Sequence, residues 1–184
     1  MLKYILLFLP LSLLWSCKSD VLPKPSGQLR LDYVNPKYIP FDQPTPYNFD
    51  INQQATLKSK GNSNYEIHYP KMKATMYLSY KPVAQNIDQL LRDAQKLTYE
   101  HVVKADDIAE QPFINRDNRV FGMFYDVNGN AATNAQFYVT DSTKHFVNCS
   151  VYFYAKPNFD SILPAVDYLK KDMRHAMETF RWKK

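Results

Sequence analysis

Three strand-forming runs lie almost end to end between positions 119 and 155, with gaps too short for anything but hairpins. Residues 119–127 (RVFGMFYDV), 135–140 (AQFYVT) and 145–155 (HFVNCSVYFYA) are rich in apolar, aromatic and β-branched side chains. Asn128-Gly129 follows the first run, and both residues tolerate the positive φ that the centre of a type I′ turn requires. Asp141-Ser142-Thr143-Lys144 turns the second run into the third. A parallel pair would need a crossover of about a dozen residues or more. These strands therefore pair antiparallel.

A similar order is legible upstream. Residues 47–51 and 65–69 alternate on either side of the polar loop KSKGNSN, and 74–80 (ATMYLSY) form a third short strand that ends at Lys81-Pro82. Asn86 begins a helix with Gln89 as its capping-box partner, and Ile87, Leu90, Leu91, Ala94, Leu97, Val102 and Ala105 keep helical spacing through about Lys104. Residues 105–118 show no clean period and contain Pro112. Asp160 or Ser161 caps a last helix with an apolar seam of Leu163, Val166, Leu169, Met173, Met177 and Phe180. The expected class is α+β, with both helices packed on an antiparallel sheet.

Ahead of this domain, expected over 47–184, the chain has a different character. Six of its twelve prolines fall between Pro23 and Pro46, which excludes a continuous helix or central strand there. Leu29, Leu31, Tyr33, Tyr38 and Phe41 offer apolar anchors, so residues 17–46 read as a tether that becomes a wrapping segment. Residues 1–16 read as a secretory signal: Lys3, the apolar run 4–14, then Leu14-Trp15-Ser16-Cys17 as a lipobox. Eleven helical residues reach about 16 Å, against roughly 30 Å for a bilayer core. Cys17 is then the acylated residue, carrying palmitate-type chains. An ordinary signal with an incidental cysteine, or an uncleaved anchor, is the competing reading, and the bulky Trp15 speaks for it.

Removing 1–16 from 184 residues leaves 168, enough for one domain with a substantial core. With Cys17 acylated, Cys149 is the one free thiol and no intrachain disulfide can form. Fourteen Tyr against four Gly suit half-buried strands and argue against phosphate-cradling loops. The net charge of +5 would suggest nucleic acid in a cytosol, but export points instead to anionic lipid, envelope glycans or an acidic protein.

Catalytic and metal motifs are missing. There is no phosphate-binding loop, H-E-x-x-H, C-x-x-C or G-x-S-x-G, and His68, His101, His145 and His175 have no ligand spacing. His175 reads as a local ion-pair partner of Asp172 and Glu178. Asp126-Val127-Asn128-Gly129-Asn130 opens like a calcium loop but lacks the distal glutamate. Asp141, Ser142 and His145 hold the ingredients of a relay within one turn, where they cannot easily align. No cofactor, metal or catalytic residue is expected.

The runs LSYKPV (78–83), YEHVVKADDI (99–108), VFGMFYDVNGNAA (120–132), QFYVTDSTKHF (136–146) and the long stretch 151–183 resemble the gliding-motility lipoprotein GldD family of Bacteroidetes. So does PKPSGQLRLD at 23–32, which extends the resemblance over nearly the whole mature chain. Two cysteines that the family implies near Thr45 and Asn64 are both absent, which fits joint loss of a disulfide. The resemblance implies a non-enzymatic cell-envelope lipoprotein required for gliding and linked to type IX protein secretion, with only Cys17 carried over as a functional residue. The element order is also similar to the α-β-α sandwich of PsbP and Mog1 proteins, which are accessory or binding domains.

The expected partners are envelope proteins of the gliding and secretion apparatus, with a lipid anchor through Cys17 and no nucleic acid. The expected place is the periplasmic side of the outer membrane, with the inner membrane as the alternative. A second functional reading is a ligand-binding accessory lipoprotein that holds a lipid, glycan or other small ligand in an aromatic cleft. Lys170, Lys171 and Arg174 are expected on the exposed face of the last helix as a docking surface. Ser142 and Ser161 fit an Asp-Ser O-glycan acceptor pattern, implied only through the resemblance.

Overall fold

The computed structural model describes residue 27 and residues 31–100, 104–154 and 159–183, so Cys17, its apolar leader and His101 lie outside the described residues. The first described segments form a strap: β1 (Tyr38–Pro40), β2 (Tyr47–Asn48) and β3 (Asp50–Asn52). Then come β4 (Thr56–Gly61), β5 (Asn64–Tyr69), a 3-10 turn at Pro70–Met72 and β6 (Ala74–Pro82). Helix α1 (Ile87–Tyr99) leads to β7 (Ala105–Asn115), β8 (Val120–Gly129), β9 (Thr133–Thr140) and β10 (His145–Phe153). Helix α2 (Phe159–Glu178) and β11 (Arg181–Trp182) are the last described elements.

Two meanders meet in one seven-stranded sheet ordered β4-β5-β6-β10-β9-β8-β7. Every pairing is antiparallel, and β10 lies against β6 along its whole length, from His145↔Pro82 to Phe153↔Ala74. Alternation then divides the side chains. Tyr65, Ile67, Met76, Leu78, Val147, Cys149, Phe137, Val139 and Phe124 join α2's Ala165, Leu169, Met173 and Met177 in the main core. On the other face Leu90 and Ala94 of α1 pack on Phe146 and Tyr138. The expected α+β class, with both helices on an antiparallel sheet, is what forms, one helix to each face.

Close approach fixes one glycine on the α2 side. A Cβ at Gly122 would lie 2.0 Å from the Tyr138 carbonyl oxygen and 3.0 Å from Cε of Met177, so no larger side chain fits beneath the helix.

The strap belongs to the core. Phe41 is fully buried and stacks on Phe49 with ring centroids 4.6 Å apart, and Phe49 stacks in turn on Phe180 at 5.7 Å. β1 pairs with β3, while β11 pairs with β2 through Trp182↔Tyr47, so the C-terminal tail closes over the strap. Leu31 and Tyr33 pack against the same core.

Three local expectations are corrected, and the stretch left open is assigned. Helix α1 ends at Tyr99 and does not reach Lys104, because Ala105 is already paired with Gly129 in the sheet. Its capping box does not form, since the Asn86 side chain instead accepts a bond from the Ala84 N–H at 2.8 Å. The uncertain stretch is β7, the edge strand, where Pro112's missing donor faces no neighbour. Asn128-Gly129 is not a two-residue turn: both residues end β8 opposite Asp107 and Ala105, and residues 130–132 make the connection to β9. Gly129 does have a positive φ (+100), and Asp106 bulges against it so closely that a Cβ would sit 2.6 Å from the Asp106 nitrogen.

Candidate functional site

Helix α1 covers only the middle of its sheet face. Gln136, fully buried on β9, donates from Nε2 to the Ala94 carbonyl at 2.9 Å and holds the helix over that strand. No periodicity in the sequence announces this polar clamp. It leaves sheet surface open on both sides of α1.

Toward β6 and β10 lies a cleft of about 500 Å³ lined by Tyr77, Ser79, Leu97, Asn148, Ser150, Tyr152, Phe153 and Tyr154. The register places Ser150 beside Tyr77 and Asn148 beside Ser79, so the floor is polar and the aromatic rings stand around it. Tyr77 meets Tyr152 edge to face at 5.6 Å, and its hydroxyl bonds that of Tyr154 at 2.6 Å. That hydrogen bond, with some burial, pushes the Tyr77 phenol up to about 12. Asn148 makes one long bond from Nδ2 to Ser150 Oγ at 3.5 Å, and its Oδ1 is buried without a partner. Ser79, Leu97 and Asn148 also line a narrower space of about 190 Å³ that runs on along α1 to Lys81 and Asp93.

On the far side of α1, β7 and β8 present cross-strand pairs Pro112↔Met123 and Ile114↔Phe121. Ile114 is 65% exposed, and Phe121 and Met123 are half-buried. These four apolar side chains share the face opposite Phe113, which packs into the main core.

The expected docking residues do not form an exposed row. Lys170 is 7% exposed, and its Nζ donates to Asp126 Oδ1 at 2.5 Å and Asn128 Oδ1 at 3.1 Å. Arg174 lies 4.1 Å over the Phe124 ring, donates to Gln111 and sits 3.6 Å from the Asp126 carboxylate. Only Lys171 points to solvent. The sheet spans a wider arc of α2 than the apolar seam marks, and it captures the flanking cations. The same contacts engage Asp126 and Asn128, the residues of the calcium-like motif.

The other chemical candidates resolve into structure. Asp141 accepts from the backbone of Thr143, Lys144 and His145 and from the Thr143 hydroxyl; burial opposes ionisation, but these bonds outweigh it and hold the carboxyl at about 2. The His145 ring bonds the Tyr80 hydroxyl at 2.9 Å, so Asp141, Ser142 and His145 form no relay. His175 stacks on Tyr38 and lies 3.7 Å from Asp50 of β3, which corrects the expected pairing with Asp172 and Glu178. Asp172 is buried between strap and sheet, accepting from Tyr38 at 2.7 Å and Asn52 at 2.8 Å; burial raises its carboxyl above the ordinary range. Ser142 is exposed with φ 66, and Ser161 is half-buried in the first turn of α2, whose Phe159 N–H is capped by Asn130 Oδ1 at 2.9 Å.

An antiparallel sheet with a helix on each face, a strap sealed into the core and an open aromatic cleft together make a two-helix α+β domain. The chain belongs to the gliding motility lipoprotein GldD family, whose sequence model matches residues 18–182. A comparison with curated proteins finds no match. Among the described residues no helix is long and apolar enough to cross a membrane, a statement that leaves β-barrels aside.

Proposed function

We propose that this chain is a non-enzymatic cell-envelope lipoprotein, held by acyl chains on Cys17, that supports gliding and the associated type IX secretion machinery through protein contacts. The family supports the motility role. The observation that carries the contact reading is the apolar ribbon of Pro112, Ile114, Phe121 and Met123 on the open sheet face. Clustered exposed apolar side chains on a water-facing sheet are characteristic of interaction surfaces. In this reading the lipid on Cys17 holds the domain on the periplasmic side of the outer membrane, or of the inner membrane. A photo-cross-linking residue at position 114 or 121 should capture an envelope protein in gliding cells, and Ile114→Asp should reduce both capture and gliding with folding retained. Capture from position 58 on β4 equal to that from 114 would remove the ribbon as the contact face.

The tyrosine cleft supports the second reading, a ligand-binding accessory role. Its unpartnered Asn148 Oδ1 is a polar group that protein contacts alone leave unsatisfied.

A further inference from the structure

We infer that the cleft between α1 and strands β6 and β10 is a binding site for a short neutral oligosaccharide, an inference that rests on the ligand-binding reading and names its ligand class. The main chamber is lined by four aromatic rings, two serines, one asparagine and one leucine, none of them charged. A sugar ring has a flat C–H face and a rim of hydroxyls, each both donor and acceptor. Tyr77 and Tyr152 supply ring surfaces fixed edge to face at 5.6 Å, and the 2.6 Å bond to Tyr154 holds the third ring beside them. Stacking on pre-ordered rings costs little conformational entropy, which favours a ligand with few apolar atoms to bury.

The floor supplies the rest. The Ser79 and Ser150 hydroxyls can donate and accept, and Asn148 Nδ2, held by one long bond to Ser150, has a second proton to donate. A burial this polar needs a ligand that completes it. An acyl chain would cover the exposed Ser79 hydroxyl and leave it unpaired, a cost of about 1–3 kcal/mol for each such group. A phosphate or carboxylate would meet no cation in the main chamber, because Lys81 lies only in the narrower extension, beside Asp93. The chamber's volume of about 500 Å³ fits the range of small-ligand sites, about 300–1,000 Å³. Neutral lining, aromatic walls and a polar floor together select a neutral glycan over a lipid or an anion.

The test uses the full lipidated chain in a phosphocholine detergent, which has no sugar headgroup to compete. Titration with an N-acetylglucosamine trimer and with maltotriose should show saturable binding of at least one. Tyr77→Ala, Tyr152→Ala and Asn148→Leu should each weaken it by about tenfold or more in Kd, equivalent to about 1.4 kcal/mol. Tyr152→Phe should retain most of the affinity, and Lys58→Ala on β4 all of it. Should an alanine variant fail to fold, saturation-transfer NMR on the unaltered protein decides: the sugar's ring C–H protons should receive the strongest transfer. Saturable binding of dodecanoate with none of either sugar would overturn the proposal in favour of a lipid site. Binding of neither sugar, or binding indifferent to all three substitutions, would overturn it outright. The ribbon reading does not depend on this result, since cross-linking from position 114 is read without added glycan.

Discussion

Lys170 and Asp126, 44 residues apart in sequence, meet at 2.5 Å beneath α2, and their ion pair ties the last helix to the middle of β8. Lys170→Met should cost about 2–3 kcal/mol, because Asp126 is left partly buried with only Arg174 nearby. The double variant Lys170→Met, Asp126→Leu should recover part of that loss. Lys171→Glu, one residue on and exposed, should leave the melting temperature unchanged. Thermal denaturation of the four proteins checks the phase of the helix.

Gly129→Val should destabilise the domain by about 2–3 kcal/mol, through strain at φ +100 and the clash with the Asp106 backbone. The loss should be the same with calcium or with chelator, since the strain is independent of any ion. Calcium-dependent melting of the variant would refute this account.

Asp141 sets an acid limit on stability. Its carboxyl titrates at about 2 in the fold, below the ordinary aspartate value. The folded pKa is depressed, so its contribution is complete above the unfolded value near 4 and is lost as pH falls toward 2. Asp141→Asn should lower stability by about 1–2 kcal/mol at pH 7 and flatten the stability profile between about pH 4 and 2. Urea denaturation at stepped pH measures both.

Cys17→Ala should abolish membrane attachment and gliding while leaving the folded domain intact, as fractionation and circular dichroism would report. A chain beginning at Pro23 should fold cooperatively. One beginning at Tyr47 should not, because it loses Phe41 from the core and the Tyr38 donor from Asp172. Phe41→Ala alone should cost about 3–4 kcal/mol. Equal melting temperatures for the two truncations would show that the strap is not part of the domain.

Much of the sheet could be read in advance because local chemistry agrees with the fold at β5, β6, β8, β9 and β10. Each has an alternating or strongly apolar run with a breaker after it. β7 was obscured because an edge strand buries one face only and tolerates Pro112. Phe41 and Tyr38 were visible as anchors, but their partners Phe49 and Asp172 follow only from tertiary packing. Lys170 misleads for the same reason: a lysine beside an apolar seam signals solvent unless a carboxylate arrives from elsewhere, and Asp126 does so from a distant strand. The cleft was foreseen only as an aromatic class of site. Its residues come from β6, α1, β10 and the residue after β10, and no linear motif joins them.

The strap also decides how the molecule bears load. If the chain is anchored at Cys17, any pull from the membrane enters through Leu31 and reaches β1, whose pairing with β3 comprises only Tyr38↔Asn52, Ile39↔Ile51 and Pro40↔Asp50. Beyond it, β6 and β10 are joined over nine residue pairs. Tension therefore meets a ladder of three pairs before one of nine, and the Tyr38–Asp172 bond stands at the point where it arrives. The strap would yield first, and because Phe41 and the Tyr38 donor leave with it, a pull on the anchor would loosen the core beneath the sheet before any strand of the sheet is drawn out.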